Sequence, residues 1–343
     1  MRFLRLRLLP ALAFIVFAFM ANSQVYQFKQ YNIEDGLSHP FVYTINNDMN
    51  GYVWIGTGEG LCRFDGFSFN LCKENDTLTN GFVSSSYLDK NGLLWFGHNS
   101  GDVTYYNGIE FKRLDSRMYL NSSVTDINSD NQGNVFVSTQ NNGLLRVNPK
   151  FELDTFTSAF KGKIIYSIAS VGNSNYLVGC SDGLVVYKIE KKNAEKVLDI
   201  SELSYIPVQS IENGVVEFSF WIGTEDSGFY LLRFKDDSFE SYELLNIGEQ
   251  VNLAFDNIQS VFEDREKTLW VSTFGKGVFK MIPDLDQTYK YNRIVQFSTQ
   301  NGLPNNFIKQ VYQDWEGNFW IATYGNGIAF SSDEAFAFLY QDI

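Results

Sequence analysis

The chain has 343 residues and a formal net charge of −13, with 27 lysine and arginine side chains against 40 aspartate and glutamate side chains. This acidic balance disfavours binding to nucleic acid or anionic lipid, since both require clustered cations. Apolar residues make up 44% of the chain and aromatic residues 16%, enough for a large core, so intrinsic disorder is excluded. The three cysteines lack Cys-x-x-Cys spacing and there are only two histidines. We therefore expect no disulfide framework, no metal site and no cofactor.

Residues 1–23 resemble a cleavable signal peptide. A basic start (Arg2, Arg5 and Arg7) precedes an apolar run from Leu8 to Met20, and small residues then lead to a predicted cut before Gln24. The apolar run is shorter than the roughly 20 residues that a membrane-spanning helix needs, although an uncleaved anchor is the alternative. Cleavage would leave 24 cationic and 40 anionic side chains, about −16. The mature protein is predicted to be periplasmic, without insertion into the membrane.

One repeat organises the chain from about residue 40 to residue 330. A bulky apolar residue opens each copy, a small residue follows two positions later, and a glycine follows six or seven positions later. The opening residues recur every 41–50 positions, at Trp54, Trp95, Phe136, Leu177, Trp221, Trp270 and Trp320. An acidic turn ending in glycine, such as Asp48–Gly51, precedes most copies. Seven copies of this composite indicate modules that pack on one another.

Each copy reads as four short strands separated by tight turns. In the first copy the strands are Val42–Asn46, Tyr52–Gly56, Gly60–Phe64 and Phe67–Cys72, with Asp65-Gly66 as a two-residue hairpin turn. Short strands, a period above 40 and no helical periodicity predict an all-β fold. We expect a seven-bladed β-propeller of four-stranded antiparallel blades over residues 24–343. The opening aromatic residue would fill the space between blades, and the small residue would let the next blade approach closely.

Ring closure and the cysteines give two further predictions. The segment Val25–Tyr31 and the turn after it resemble Ile294–Phe297 and its following turn, so the N-terminal strand is predicted to complete the seventh blade. The tail Ala335–Tyr340 is the alternative. A two-residue turn at Asp65-Gly66 would place Cys62 opposite Phe69, so a disulfide with Cys72 would require a register slip.

The motifs resemble the two-component regulator propeller repeat. Three carry the resemblance: Gly36-Leu37-Ser38, the Asp-x-x-Gly-x-x-Trp-Ile-Gly-Thr run from Asp48 to Thr57, and the Gly-Leu-x-Arg-Phe-Asp-Gly run from Gly60 to Gly66. The family forms the extracytoplasmic sensor portion of bacterial hybrid two-component systems. The resemblance implies sensing of oligosaccharides, and it covers residues 25 to about 332. Family members usually carry a second propeller, a membrane helix and kinase domains, which do not follow in this sequence. A truncated or split sensor and a stand-alone binding protein both remain open.

A ligand site is predicted on one face of the ring, where the loops between second and third strands emerge beside the blade-to-blade loops. Amides, carboxylates and aromatic rings together suit sugars. The candidate ligand-binding residues are Glu59, His98, Asn99, Gln140, Asn141, Asp182, Glu225, Asp226, Phe274, Lys276, Tyr324 and Asn326. The blade-to-blade loops add His39, Phe41, Asn305, Asn306 and Phe307. Tight turns also favour polar residues for backbone reasons, so Phe274 and Tyr324 are the stronger candidates.

Catalytic interpretations are weaker. The alternatives are a lyase with His98 as base and a glycosidase using Glu59 and Glu225, but the sequence gives no separation of the two carboxylates to test against the required geometry. The repeated turn acids could bind calcium, but capping of their own turns explains them without a metal. The sequence therefore favours a non-catalytic extracytoplasmic sensor that recognises an oligosaccharide or a partner protein, with a homodimer or a membrane-bound kinase as possible partner. The alternative is a secreted glycoside hydrolase or lyase acting on glycans.

Overall fold

Seven four-stranded antiparallel sheets make up the part of the chain that the computed structural model describes. The described residues are 26–72, 81–115, 121–237, 239, 241–251, 253, 256–284 and 290–332. The prediction of a seven-bladed β-propeller is confirmed. The predicted signal peptide and the tail Ala335–Tyr340 lie outside the described residues, so the signal peptide stays a prediction.

Each sheet is one blade, and its strands are named A to D from the axis of the ring outwards. The A strands are β2 (Val42–Asn47), β6 (Val83–Leu88), β10 (Val124–Ser129), β14 (Ile165–Gly172), β18 (Val208–Asn213), β22 (Ile258–Glu263) and β26 (Ile308–Gln313). The B strands are β3 (Val53–Thr57), β7 (Leu94–His98), β11 (Val135–Thr139), β15 (Asn175–Cys180), β19 (Ser219–Thr224), β23 (Leu269–Thr273) and β27 (Phe319–Thr323).

The C strands are β4 (Gly60–Phe64), β8 (Val103–Tyr106), β12 (Leu144–Val147), β16 (Gly183–Glu190), β20 (Phe229–Phe234), β24 (Val278–Pro283) and β28 (Ile328–Ser331). The D strands are β5 (Phe69–Leu71), β9 (Phe111–Arg113), β13 (Leu153–Thr155), β17 (Asn193–Asp199), β21 (Tyr242–Asn246), β25 (Tyr291–Phe297) and, in blade 7, β1 (Lys29–Tyr31). Two 3-10 turns, Ile33–Asp35 and Ser201–Leu203, and one helical turn, α1 (Ile247–Gln250), lie between strands.

The N-terminal strand closes the ring, as predicted. β1 pairs antiparallel with β28, with Tyr31 opposite Ile328. The Tyr31 ring is buried and lies 5.1 Å from the ring of Phe69 in blade 1 and 5.9 Å from that of Trp320 in blade 7. The closing strand is therefore fixed by backbone pairing within blade 7 and by aromatic packing against blade 1.

The tryptophans that open the repeats are core residues, as expected. In blades 1, 2, 6 and 7 the indole N–H donates to the turn aspartate six positions earlier, over 2.7–2.9 Å. The four pairs are Trp54–Asp48, Trp95–Asp89, Trp270–Asp264 and Trp320–Asp314. The other oxygen of each carboxylate accepts backbone N–H groups of the turn. One aspartate thus caps the A–B turn and satisfies a buried indole.

The small residue of each repeat lets neighbouring blades approach. A Cβ on Gly56 would lie 2.5 Å from Thr44 Cγ2 and 2.8 Å from Val83 Cγ1 of the next blade. A Cβ on Gly97 would lie 2.4 Å from Val124 Cγ1. A larger residue there would force the blades apart, as the sequence pattern predicted.

The first C–D turn corrects two sequence predictions. Phe64 pairs with Phe69, so residues 65–68 form the connection and Cys62 lies opposite Leu71, not Phe69. The physical reason is that the Asp65 carboxylate accepts the N–H groups of Phe67 and Ser68 at 3.0 and 2.8 Å, which stabilises a longer turn. Cys62 and Cys72 are free thiols.

We predict that Asp89→Ala lowers the free energy of unfolding by about 2–3 kcal/mol, because the buried Trp95 N–H loses its acceptor and the turn loses its cap. Denaturant unfolding measures the change. Glu195→Ala, which removes an exposed carboxylate on β17, is the control and should leave stability within about 0.5 kcal/mol. Equal stability of Asp89→Ala and Glu195→Ala would contradict a structural role for the aspartate–tryptophan bond.

Candidate ligand-binding face

A repeated backbone hydrogen bond builds the face on which the B–C loops emerge. In every blade the first residue of the B–C loop donates its N–H to the carbonyl of the residue before the A strand, over 2.9–3.1 Å. We call these fourteen positions the loop rim: Phe41 and Gly58, Phe82 and Asn99, Ser123 and Gln140, Ile164 and Ser181, Pro207 and Glu225, Asn257 and Phe274, and Phe307 and Tyr324. Since the backbone is equivalent in all seven blades, differences around the rim come from the side chains.

Aromatic side chains cover one half of the loop rim. We call Phe41, Tyr43, Phe82, Phe274, Phe307 and Tyr324 the aromatic arc, which runs through blades 6, 7, 1 and 2. Neighbouring ring centroids are 4.0–5.7 Å apart along its whole length. Phe274, Phe307 and Tyr324 are 42%, 43% and 39% exposed, so these rings are open to a ligand rather than covered by the core.

Tyr324 occupies the centre of the arc. Its ring contacts those of Phe41, Tyr43 and Phe274, at 4.7, 5.7 and 5.6 Å. Burial raises the pKa of Tyr43, and a hydrogen bond with Tyr324 acts in the same direction. The Tyr43 phenol is therefore neutral at physiological pH. The arc offers hydroxyl groups beside apolar ring faces, which is the combination that sugars use.

The other half of the loop rim, the polar half, is mostly polar, with Ile164 and Pro207 as its apolar positions. Asn99, Ser123, Gln140, Ser181 and Glu225 occupy blades 2 to 5. The Ser123 hydroxyl donates to Asn99 Oδ1, whereas Gln140 is exposed. The face therefore combines stacking surface on one side with hydrogen-bonding groups on the other.

Most predicted site residues lie on this face, although several already have partners. Phe274 and Tyr324 belong to the arc, and Asn99, Gln140 and Glu225 to the polar half. The remaining exposed candidates lie further along the B–C loops: Glu59, Asn141, Asp182, Asp226, Lys276 and Asn326. Among these, Asp182 pairs with Lys163 at 2.8 Å, Lys276 pairs with Asp256 at 2.9 Å, and Asn326 Oδ1 accepts from Asn305 at 2.9 Å.

His98 is not on this face, which corrects one predicted site residue. It ends β7, is 2% exposed, and its Nε2 lies 3.0 Å from Thr104 Oγ1. Burial lowers its pKa to about 4, opposed by the charge of Asp102, so the ring is neutral. Alignment of the repeats indicates this burial, since His98 occupies the same repeat position as Thr57 and Thr139, which are fully buried.

Sequence reasoning missed Tyr43 and Phe82. Both lie at or next to the start of an A strand, where they resemble core residues of an alternating strand. Comparison of the seven repeats distinguishes such rim residues from core residues. The residue before the A strand is aromatic in blades 1, 2 and 7 (Phe41, Phe82 and Phe307). An aromatic residue is not required there by the backbone, since Ser123 occupies the same position in blade 3.

An axial channel of about 380 Å3 is lined by residues of all seven A strands, Tyr43 among them. Its wall is mainly serine, threonine, asparagine, glutamine and tyrosine, with Asp126, Glu212 and Lys309 as its charged side chains. Burial raises the pKa of Glu212 to about 7, helped by the negative charges of Asp126 and Glu263. Burial also raises the pKa of Asp126 to about 6 and lowers that of Lys309. The Glu212 side chain is exposed along the channel, but the surrounding protein and the nearby carboxylates still raise its pKa.

Other features of the described residues bear on chemistry and location. The turn acids cap their own turns, and in the described ranges no three acidic, histidine or cysteine side chains lie close enough together to hold a metal ion. Within the same ranges, no helix is long and apolar enough to cross a membrane.

The fold is a seven-bladed β-propeller, and the loop rim lies on one of its two faces. Residues 36–59, 252–275 and 302–325 match the family model described as two component regulator propeller, which confirms the resemblance inferred from the motifs. Five of the six arc residues lie within these three segments, and Phe82 is the exception.

Relatives and solved structures agree with this architecture. A 63-residue stretch is 35% identical to histidine kinase P4 from Formosa agariphila, covering 18% of this chain and 5% of that protein. The extracellular domain of a hybrid two component system from B. thetaiotaomicron superposes with a TM-score of 0.71 at 22% identity, over 89% of this chain and 41% of that one. A streptogramin B lyase superposes with a TM-score of 0.66 at 14% identity, over 91% and 99% of the two chains. The chain thus spans less than half of the first structure and a small fraction of the kinase, and the structural similarities establish the fold alone.

We predict that Glu212→Gln raises the free energy of unfolding at pH 8 by about 1 kcal/mol. This value is kept small because solvent screens the charge of an exposed carboxylate. The folded carboxyl has a pKa of about 7 against an ordinary value of 4.5, so between these values the folded state holds a proton that the unfolded state has released. The free energy of unfolding of the wild type therefore falls as pH rises through this range. Denaturant unfolding at pH 4 and pH 8 checks this.

Glu195→Gln controls for the loss of one negative charge outside the channel. The stabilisation by Glu212→Gln should vanish at pH 4. An equal effect of the two variants at pH 8, or an effect of Glu212→Gln that does not change with pH, would contradict a channel-specific cause.

Proposed function

We propose that the chain is a non-catalytic, extracytoplasmic recognition domain of sensor type that binds an oligosaccharide on the loop rim. The observation that carries this proposal is the asymmetry of the rim. Around the fourteen equivalent positions of the rim, rings of the aromatic arc, three of them exposed, occupy blades 6, 7, 1 and 2, whereas mostly polar side chains occupy blades 2 to 5. Exposed aromatic surface of this kind marks a recognition site.

The oligosaccharide is favoured over other ligands by the chemistry of the face. Ring faces at Phe274 and Tyr324 suit the C–H faces of sugars, and amides such as Gln140 suit hydroxyl groups. The net charge of −13 disfavours polyanions. Matches to the two component regulator propeller repeat support a sensor role, with the signal passed to a membrane-bound kinase partner or through a homodimer.

An enzymatic role has less support. The base considered for a lyase, His98, is buried at the end of β7 and hydrogen bonded to Thr104. Glu59 and Glu225, considered for a glycosidase, lie on blades 1 and 5, on different sides of the axial channel. Similarity to the streptogramin B lyase reflects the shared fold.

Thermal shift with a panel of defined neutral oligosaccharides, followed by calorimetry on those that stabilise the protein, tests the proposal. A ligand at 100 times its Kd should add about 2.7 kcal/mol to the free energy of unfolding. Tyr324→Ala and Phe274→Ala should each weaken binding about tenfold, equivalent to about 1.4 kcal/mol, because a stacking surface is lost.

Phe67→Ala is the matched control, since Phe67 is a 97% exposed aromatic residue in the C–D turn of blade 1, on the opposite face of the ring. Binding that tolerates both arc substitutions, or that Phe67→Ala weakens equally, would overturn the assignment of the site. Release of new reducing ends or unsaturated products from the sugars would overturn the non-catalytic assignment. Stabilisation by a partner protein and by no sugar would show that the rim recognises protein instead.

A further inference from the structure

The axial channel has a feature that recognition on the loop rim does not use. Its three charged side chains come from three different blades and from three different depths along the A strands. Lys309 is the second residue of β26, Asp126 the third residue of β10, and Glu212 the fifth residue of β18. Equivalent positions in other blades carry uncharged residues such as Thr125, Ser167 and Asn128. The charges are therefore departures from the repeat, not requirements of it.

Two of these charged groups already have partners within the wall. Lys309 Nζ donates to Gln259 Oε1 at 2.9 Å, and Gln259 in turn donates to Gln209 at 2.7 Å. The Asp126 carboxylate accepts the Ile168 N–H at 3.3 Å. Glu212 differs, because among the described residues its carboxylate forms neither a hydrogen bond nor an ion pair.

The channel therefore carries an excess of negative charge that its own residues do not neutralise. Asp126 and Glu212 interact unfavourably with each other, and Glu263 adds a further negative charge beside Glu212. Lys309 interacts favourably with Asp126. A positively charged guest would relieve this repulsion, whereas an anion would add to it.

The different depths of the two carboxylates along the channel indicate the shape of that guest. Asp126 and Glu212 stand two residues apart in depth, about 7 Å at the rise of a β-strand. A single metal ion requires oxygen ligands converging at one point, and no such group of acidic, histidine or cysteine side chains occurs in the described ranges. A linear diamine places its two ammonium groups at its two ends, and the volume of about 380 Å3 accommodates it with water.

We propose that the axial channel is a binding site for a linear aliphatic diamine, held by Asp126 and Glu212 and separate from the oligosaccharide site on the aromatic arc. The inner edges of the A strands supply backbone carbonyl groups that accept from the ammonium N–H groups. Hydroxyl and amide side chains of the wall complete the solvation of the alkyl diamine.

The experiment is isothermal calorimetry of the whole chain at 150 mM salt and pH 8, with putrescine as the probe. Putrescine should bind, and 1,4-butanediol, which has the same carbon chain without charge, should not. Glu212→Gln and Asp126→Asn should each weaken putrescine binding at least tenfold. Glu195→Gln, on the outer edge of blade 4, should leave it unchanged.

Binding should also weaken on going from pH 8 to pH 5, because the channel carboxyls take up protons while the diamine remains charged. Circular dichroism of each variant checks that the fold is retained. Absence of putrescine binding at pH 8 would overturn the proposal, as would equal binding of butanediol or equal weakening by Glu195→Gln. Loss of oligosaccharide binding in the arc variants concerns the rim alone, so the two proposals fail separately.

Discussion

Neither face of a propeller blade is stable in water, and the rest of the structure depends on covering both. Each sheet places apolar side chains on its two faces, and only the neighbouring blades bury them. Gly56 and Gly97 show how tightly this constraint acts, because a single Cβ at either position would meet a side chain of the next blade at less than 3 Å. Side chains free to vary therefore lie in the loops, along the axial channel and on the outer D strands. The two proposed sites use the first two of these regions.

The ring divides into a regular half and an irregular half. Blades 1, 2, 6 and 7 contain the aspartate–tryptophan bond, and the same four blades carry the aromatic arc. In blade 3, Asp130 accepts instead from Tyr176 of blade 4, and in blade 5 Trp221 donates to Glu263 of blade 6. The polar half of the rim belongs largely to these irregular blades. Repeat regularity and surface chemistry therefore change together around the ring.

The fold could be predicted from the sequence because its constraint recurs seven times. The tryptophan, the small residue and the glycine of each repeat are each required for packing or for turn geometry. Their periodicity therefore predicts the number of blades and the way the blades pack. The first C–D turn was predicted wrongly since the Asp65 carboxylate extends it by side-chain hydrogen bonds that the Asp-Gly pair does not indicate. The error at His98 came from reading it as a loop residue, although its repeat position belongs to the buried end of a B strand.

The candidate sites were less predictable, because they depend on contacts between blades distant in sequence. Phe41 and Tyr324 are almost three hundred positions apart, yet their rings touch across the closed ring. Asp126, Glu212 and Lys309 come from three separate repeats, and only closure of the ring directs them into one channel. No local pattern encodes such neighbours.

Closure by β1 also has a consequence for biosynthesis. Lys29 to Tyr31 emerge early from the ribosome, whereas their partners at positions 328–330 emerge about three hundred residues later. Strand β1 therefore stays unpaired until nearly the whole chain has been synthesised. Pairing between residues so far apart in sequence slows the final step of folding. Until then the flank of blade 1 that receives Tyr31 stays uncovered and vulnerable to aggregation, which makes a chaperone valuable during synthesis.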